Sequence, residues 1–143
     1  MRIDMKKLFI LLIFGLLCGV AYSPEYKCLY IAKGEAIDPY KSIFKAICAI
    51  ESSNDPLAWN KKENARGLTQ IREIRRIDYN TRTGKNYKPN DLFNPKINEE
   101  IFRYYFNQYG VYKTDLAIRR WNGDGKKTYK YLSLVKSKIK TIK

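Results

Sequence analysis

The stretch AICAIESSNDPLAWNKKENARGLTQI, residues 46–71, decides how this chain folds. An apolar run ends at a single acid, Glu51, after which the chain turns polar, passes Gly67 and turns apolar again. The residues from Ser52 to Pro56 favour turns, so Glu51 falls in the last turn of a predicted helix. A carboxyl group there is either the first solvated residue after a buried helix or a proton donor held partly out of water.

The residues before Glu51 predict an amphipathic helix. Asp38 followed by Pro39 is a typical helix start. Apolar side chains then recur at helical spacing: Tyr40, Ile43, Phe44, Ile47 and Ile50. Glu51 continues this inward face, where an apolar neighbourhood and the helix dipole both disfavour a carboxylate, so we expect a raised pKa. Two roles stay open on the residues alone: a general acid, or a structural ion pair with a lysine or arginine.

The rest of the chain predicts further helices and no strands. The predicted elements are a helix from near Leu68 with Ile71, Ile74 and Ile77 inward, a loop over 78–91, and a helix capped by Asn94 with Ile97, Ile101, Tyr105 and Tyr109 on one side. They are followed by a helix from Thr114 to Asn122, and by a last helix with Tyr129 or Leu132, Val135 and Ile139 on one side. Nothing alternates as a half-buried strand would. The predicted fold class is therefore all-α, a compact helical domain over residues 22–143.

Residues 1–21 predict a signal peptide. A basic start formed by Arg2, Lys6 and Lys7 leads into an apolar stretch that ends in small residues before a cleavage site at Tyr22. The apolar stretch is shorter than the roughly 20 residues that a membrane-spanning helix needs, which disfavours an uncleaved membrane anchor. We therefore expect the mature domain to be periplasmic or secreted.

The charge and composition limit the possible partners and chemistry. The chain has a net charge of +14, which favours a polyanion such as nucleic acid, an anionic membrane surface or an acidic cell-wall polymer. Export makes intracellular nucleic acid the least available of these, so we expect no nucleic-acid partner. The sequence has no histidine, the commonest metal ligand and the usual base for a serine or cysteine nucleophile. We predict a monomer with no metal site and no cofactor.

Two cysteines, Cys28 and Cys48, remain after the predicted cleavage. In an exported chain such a pair can close a disulfide. Cys48 also lies on the apolar helix that leads to Glu51, where a packed free thiol is equally compatible with the pattern. Both alternatives stay open.

Four segments of the chain carry a family resemblance. They are Glu51 and Ser52 with the polar turn that follows, ARGLTQI from Ala65 to Ile71, DLFNPKINEEIFRYYFNQY from Asp91 to Tyr109, and AIRRWNGDG from Ala117 to Gly125. In this order they resemble the soluble, goose-lysozyme-like lytic transglycosylases, whose patterns include A-x-G-L-M-Q-I and A-x-x-Y-N-x-G. The resemblance covers roughly residues 38–135. It implies a lysozyme-like fold and peptidoglycan glycan strands as the partner, with a secretion or conjugation apparatus as a second candidate partner.

The resemblance also implies roles for individual residues. Glu51 matches the family's single catalytic acid and base. The residues that match substrate-contacting positions are Ser52, Gly67, Gln70, Tyr105, Trp121 and Asn122. The chain departs from the pattern at Thr69, where methionine is usual, and at Trp121, where tyrosine is usual.

One catalytic acid suffices if the substrate assists. Most glycoside hydrolases need two carboxylates, and the other acids considered lie in polar, turn-like stretches: Asp55, Glu63, Asp78, Asp91, Asp115 and Asp124. An N-acetyl group can stabilise the sugar cation instead. The resemblance implies that Glu51 then deprotonates the muramic O6, which gives a 1,6-anhydro product. The alternatives are a lysozyme-like hydrolase on the same fold, and a non-catalytic basic module that binds cell wall or nucleic acid.

Overall fold

Five α-helices and a three-stranded antiparallel sheet make up residues 37–142, the part of the chain that the computed structural model describes. The helices are α1 (Lys41–Glu51), α2 (Glu73–Thr83), α3 (Pro95–Asn107), α4 (Thr114–Asn122) and α5 (Lys127–Thr141). The strands are β1 (Trp59–Asn60), β2 (Ala65–Arg66) and β3 (Ile71–Arg72), and short 3-10 helices span Pro89–Phe93 and Val111–Lys113. None of the helices described is long and apolar enough to cross a membrane. The predicted signal peptide lies outside the described residues.

Helix α1 forms as predicted and ends at Glu51. Its N-cap is Tyr40 rather than Asp38. Asp38 instead accepts a hydrogen bond from the Tyr40 backbone N–H (3.0 Å) and another from Arg103 on α3 (2.9 Å). The hydrogen bond from Arg103 lowers the pKa of Asp38 to about 2. The acid before the helix therefore ties the start of α1 to α3.

The prediction for the second helix is wrong in its limits and its inward face. Helix α2 begins at Glu73, not near Leu68, and runs through the predicted loop until Gly84 ends it with a φ of 71°. Ile74 and Ile77 are exposed, whereas Tyr79 is 3% exposed. The prediction of the inward face counts helical spacing from Ile71, but Ile71 belongs to strand β3. The helix therefore starts later and turns a different side inward.

The small sheet corrects the all-α prediction to a mostly helical fold. Each strand has two residues, too few for any alternation to be visible in the sequence. Asn60 pairs with Ala65, and Ala65 pairs with Arg72, across the three strands. Because side chains alternate across a strand, these three residues share one face. The opposite face carries Ile71, which is fully buried.

Helices α3, α4 and α5 follow the predicted limits more closely. Asn94 caps α3 by accepting a hydrogen bond from the backbone N–H of Lys96 (2.9 Å), and α4 ends at Asn122 with Gly123 after it. Helix α5 packs against both α1 and α4. Its Val135 is fully buried in the core, as expected.

The loop between β2 and β3 lies directly on α3 and on the first 3-10 helix. The buried carboxamide of Asn98 accepts from the N–H and the hydroxyl of Thr69 (3.0 and 2.7 Å). It donates to the carbonyl oxygens of Leu92 and Arg66 (3.0 and 3.3 Å). A Cβ added to Gly67 would lie 2.1 Å from the Leu92 oxygen and 2.4 Å from Nδ2 of Asn98. The close approach at Gly67 is therefore to the protein's own backbone.

We expect Gly67→Ala to lower the free energy of unfolding by about 3 kcal/mol, because it combines overpacking with a left-handed backbone. Gly84→Ala is the matched control: its φ is also positive, at 71°, but nothing lies within 4 Å of an added Cβ. The control should lose only about 1 kcal/mol. Urea unfolding followed by circular dichroism measures both, and equal losses would contradict the packing argument.

Candidate active site

A polar cavity of about 200 Å³ lies at the C-terminal end of α1. Its walls are Glu51, Asn60, Glu63, Ala65, Thr69, Gln70, Arg72, Arg75, Trp121 and Asn122. The end of α1, the sheet, the start of α2 and the end of α4 all contribute. The fold thus brings together four residues that the sequence singled out: Glu51, Gln70, Trp121 and Asn122.

Glu51 is partly buried and accepts a hydrogen bond from the hydroxyl of Tyr131 (2.6 Å). Burial raises the pKa of Glu51 above its usual range, and the charge of Glu63 adds to the rise. The hydrogen bond from Tyr131 and the charges of Arg72 and Arg75 offset part of it. The direction agrees with the expectation from the sequence. The carboxyl group therefore keeps its proton to a higher pH than an ordinary glutamate does.

Tyr131 is a site residue that the sequence reasoning missed. It lies on α5 and is 9% exposed. Burial, and then the negative charge of Glu51, raise the pKa of its hydroxyl, so it remains a donor. The signal that could have found it is its spacing: Tyr131 precedes the buried Val135 by one helical turn, which places both on the inward side of α5.

Two arginines in the cavity were also missed. The guanidinium of Arg75 lies 4.0 Å from the ring centroid of Trp121 and donates to the Trp121 carbonyl oxygen (3.1 Å). Burial lowers the pKa of Arg75, but a guanidinium stays charged at neutral pH. Arg72 forms an ion pair with Glu63 (2.6 Å). Glu63 therefore has the polar surroundings expected from the sequence, yet it lies on the cavity wall, which the sequence did not indicate.

Gln70 and Trp121 have structural contacts as well as places on the wall. Gln70 has a φ of 50°, and its side-chain N–H groups donate to the carbonyl oxygens of Ala58 (3.1 Å) and Gly67 (2.9 Å). The indole N–H of Trp121 donates to the carbonyl oxygen of Thr69 (3.3 Å). The two positions that depart from the family pattern, Thr69 and Trp121, are therefore in contact.

Three predicted site residues are not among those that line the cavity: Ser52, Gly67 and Tyr105. The hydroxyl of Ser52 lies 2.8 Å from the carbonyl oxygen of Leu68, which ties the end of α1 to the β2–β3 loop. The hydroxyl of Tyr105 donates to Asp78 (2.6 Å), and its ring lies beneath Arg75, 5.4 Å from the guanidinium. Tyr105 therefore contacts Arg75, and its role at a substrate-contacting position stays a prediction.

Cys48 lies within α1, is 4% exposed and forms no disulfide with any of residues 37–142. Burial raises the pKa of this thiol to about 12, so it stays protonated. Cys28 lies outside the described residues, and the disulfide between the two stays a prediction.

A helical domain with a short sheet and a partly buried glutamate at the end of a core helix is consistent with the lysozyme-like class. Residues 29–130 match the Transglycosylase SLT domain family. The chain belongs to this family, which confirms the assignment made from the four motifs. SLT domains act on peptidoglycan by lytic-transglycosylase-type cleavage. No curated protein and no solved structure matches the chain.

We expect Tyr131→Phe to raise the pKa of Glu51 further, because the lost hydrogen bond stabilises the carboxylate. A carbon-13 NMR titration of labelled glutamate carboxyl groups measures this directly. Tyr129→Phe is the matched control on the same helix, since Tyr129 is 59% exposed. An unchanged or lowered Glu51 pKa in Tyr131→Phe would contradict the assigned contact.

Proposed function

We propose that the protein is an exported peptidoglycan lytic transglycosylase. It cleaves the β-1,4 bond between N-acetylmuramic acid and N-acetylglucosamine and leaves a 1,6-anhydro end. The observation that carries the proposal is the carboxyl group of Glu51, partly buried in a polar cavity and held by Tyr131. Family membership supports the substrate class. The substrate lies outside the cytoplasm, which agrees with the signal predicted in residues 1–21 and with a periplasmic or secreted location.

In the first step Glu51 acts as the acid. Its raised pKa keeps it protonated where an ordinary glutamate is ionised, so it can donate a proton to the glycosidic oxygen. The bond from C1 to that oxygen breaks, and the N-acetyl carbonyl of the muramic residue stabilises the sugar cation. Tyr131, Arg72 and Arg75 favour the carboxylate that forms, and thus the transition state. Activity should fall as the pH rises through the raised pKa, because the acid form is lost.

In the second step Glu51 acts as the base. The carboxylate removes the proton from O6 of the muramic residue while O6 bonds to C1, which restores the acid form and consumes no water. An attack within one sugar has a high effective concentration once the ring is held. The walls formed by Gln70, Trp121 and Asn122 are suited to that holding.

Hydrolysis is the second candidate, because the cavity contains another carboxylate. Glu63 lines the same space as Glu51. A hydrolase uses such a group to activate water. Family membership favours the intramolecular acceptor over water, since SLT domains act by lytic-transglycosylase-type cleavage.

Glu51→Gln should reduce the release of soluble muropeptides from purified peptidoglycan by on the order of 100-fold or more. The fold should persist, since the amide oxygen can still accept from Tyr131. Because the folded-state pKa of Glu51 is raised, ionising it disfavours folding above that pKa, so the variant should melt at the same or a higher temperature at neutral pH. Glu99→Gln, outside the cavity walls, controls for the same chemical change. Full release by Glu51→Gln would overturn the role of Glu51, whereas no release by the protein with Glu51 intact would favour the wall-binding alternative.

Mass spectrometry of the products separates the two reactions. A transglycosylase should release muropeptides that end in 1,6-anhydro-N-acetylmuramic acid, lighter than hydrolysed ones by one water molecule. These ends should resist reduction by borohydride. Products with reducible ends would overturn the transglycosylase assignment and identify Glu63 as the group to test next.

A further inference from the structure

Arg72 offers unused hydrogen-bonding capacity inside the cavity. It faces the cavity from β3, where it pairs with Ala65, and it directly precedes α2. Its contact with Glu63 joins one guanidinium nitrogen, Nη2, to one carboxylate oxygen. A guanidinium carries five N–H donors and binds carboxylates best through two parallel bonds. Arg72 therefore has donors left for a second carboxylate.

The ion pair between Arg72 and Glu63 is of a kind that opens readily. The two side chains are 50% and 48% exposed. Exposed pairs of this type contribute little to stability, so a ligand carboxylate can replace Glu63 at small cost. Arg75, the other arginine of the cavity, is fixed by contrast, since it stacks on Trp121 and donates to its carbonyl oxygen.

The proposed substrate supplies a carboxylate close to the reacting bond. N-acetylmuramic acid differs from N-acetylglucosamine by a lactyl ether that ends in a carboxyl group. This group is either free or extended by a peptide that has carboxylates of its own. It belongs to the sugar whose C1 bond Glu51 would break, so it enters the site with that sugar. Once Glu51 gives up its proton, this carboxylate is a second negative charge in the site and needs a compensating cation. Arg72 can supply that charge, because its ion pair with Glu63 is exposed and can be exchanged.

Resting on the proposed function, we propose that Arg72 is a specificity-determining residue of this enzyme. It exchanges Glu63 for a carboxylate on the muramic substituent and so selects muramic-acid glycans over neutral N-acetylglucosamine polymers. Before substrate binds, Glu63 occupies the position on Arg72 that the substrate carboxylate would take. Removing its charge should therefore strengthen binding of anionic glycan, because Arg72 no longer has an internal competitor.

The test compares glycans that differ only in this charge. The probes are a tetrasaccharide of alternating N-acetylglucosamine and N-acetylmuramic acid with free lactyl carboxylates, the same sugar with those groups as methyl amides, and the same sugar carrying tripeptide stems. Binding is measured by calorimetry on full-length protein carrying Glu51→Gln, in which we expect cleavage to be slower by on the order of 100-fold or more. Cleavage of the same probes is measured with Glu51 intact.

Arg72→Gln should weaken binding of the free-carboxylate glycan by about 10-fold or more, the size of a charge-assisted hydrogen bond, and leave binding of the methyl amide unchanged. Arg72→Lys keeps the charge and should restore part of the preference, while Glu63→Gln should tighten binding of the anionic glycan. Arg82→Gln is the matched control, because it removes the same charge from another exposed ion pair, that with Asp78, on the surface of α2. It should change neither affinity.

Equal losses for the charged and the amidated glycan, or no loss for either, would overturn the inference. If the charge preference depends on Arg72 but the protein with Glu51 intact cleaves no probe, the proposed function fails and the recognition of carboxylates stands. If the protein cleaves the probes but Arg72→Gln changes the binding of the charged and the amidated glycan alike, the function stands and the inference fails. If binding depends on Arg72 only for the glycan with free lactyl carboxylates, the group that Arg72 binds is the lactyl carboxylate. If it depends on Arg72 only for the glycan with tripeptide stems, that group is a carboxylate of the peptide.

Discussion

The buried carboxamide of Asn98 is the interaction on which the rest of the site depends. A buried amide must satisfy its donors and acceptors, and Asn98 does so through the backbone or hydroxyl groups of three other segments. These bonds fix the β2–β3 loop against α3, at the distance that Gly67 permits. The loop then presents the carbonyl oxygen of Thr69 to the indole of Trp121. Asn98 thus fixes the position of Thr69, and through it that of Trp121, and both of these residues line the cavity.

The same loop positions the acid. The hydroxyl of Ser52 reaches the carbonyl oxygen of Leu68, so the end of α1 is attached to the loop and Glu51 faces the cavity. Burial there raises the pKa of Glu51, while Tyr131 supplies a donor that favours the ionised form. The proposed role of Glu51, first as an acid and then as a base, needs both effects. Too little burial would leave it ionised from the start, and too little support would disfavour the carboxylate after proton transfer.

The sequence predicts elements whose pattern lies within one continuous segment. It does not predict elements that are too short for a pattern, or contacts between distant segments. Helix α1 and Glu51 follow from one unbroken apolar stripe, and the start of α3 follows from Asn94 and its cap. Two-residue strands give no periodicity, so Ile71 was assigned to a helix and the inward face of α2 was wrong. Tyr131 meets Glu51 across 80 residues of chain, a distance that only the packing of α5 on α1 closes.

The departures from the family pattern are visible in the contacts that these positions make. Trp121 stands where a tyrosine is usual, and its contacts differ from those of a phenol: the indole N–H bonds the Thr69 carbonyl oxygen, and the ring carries the guanidinium of Arg75 at 4.0 Å. Tyr105 supports the same guanidinium from another side. Tyr105 and Trp121, both expected to contact substrate, therefore also hold a cation in the cavity that contains Glu51. The net charge of +14 describes the attraction of the whole surface for polyanions, but this fixed cation acts within the cavity, where it favours the ionised form of the acid.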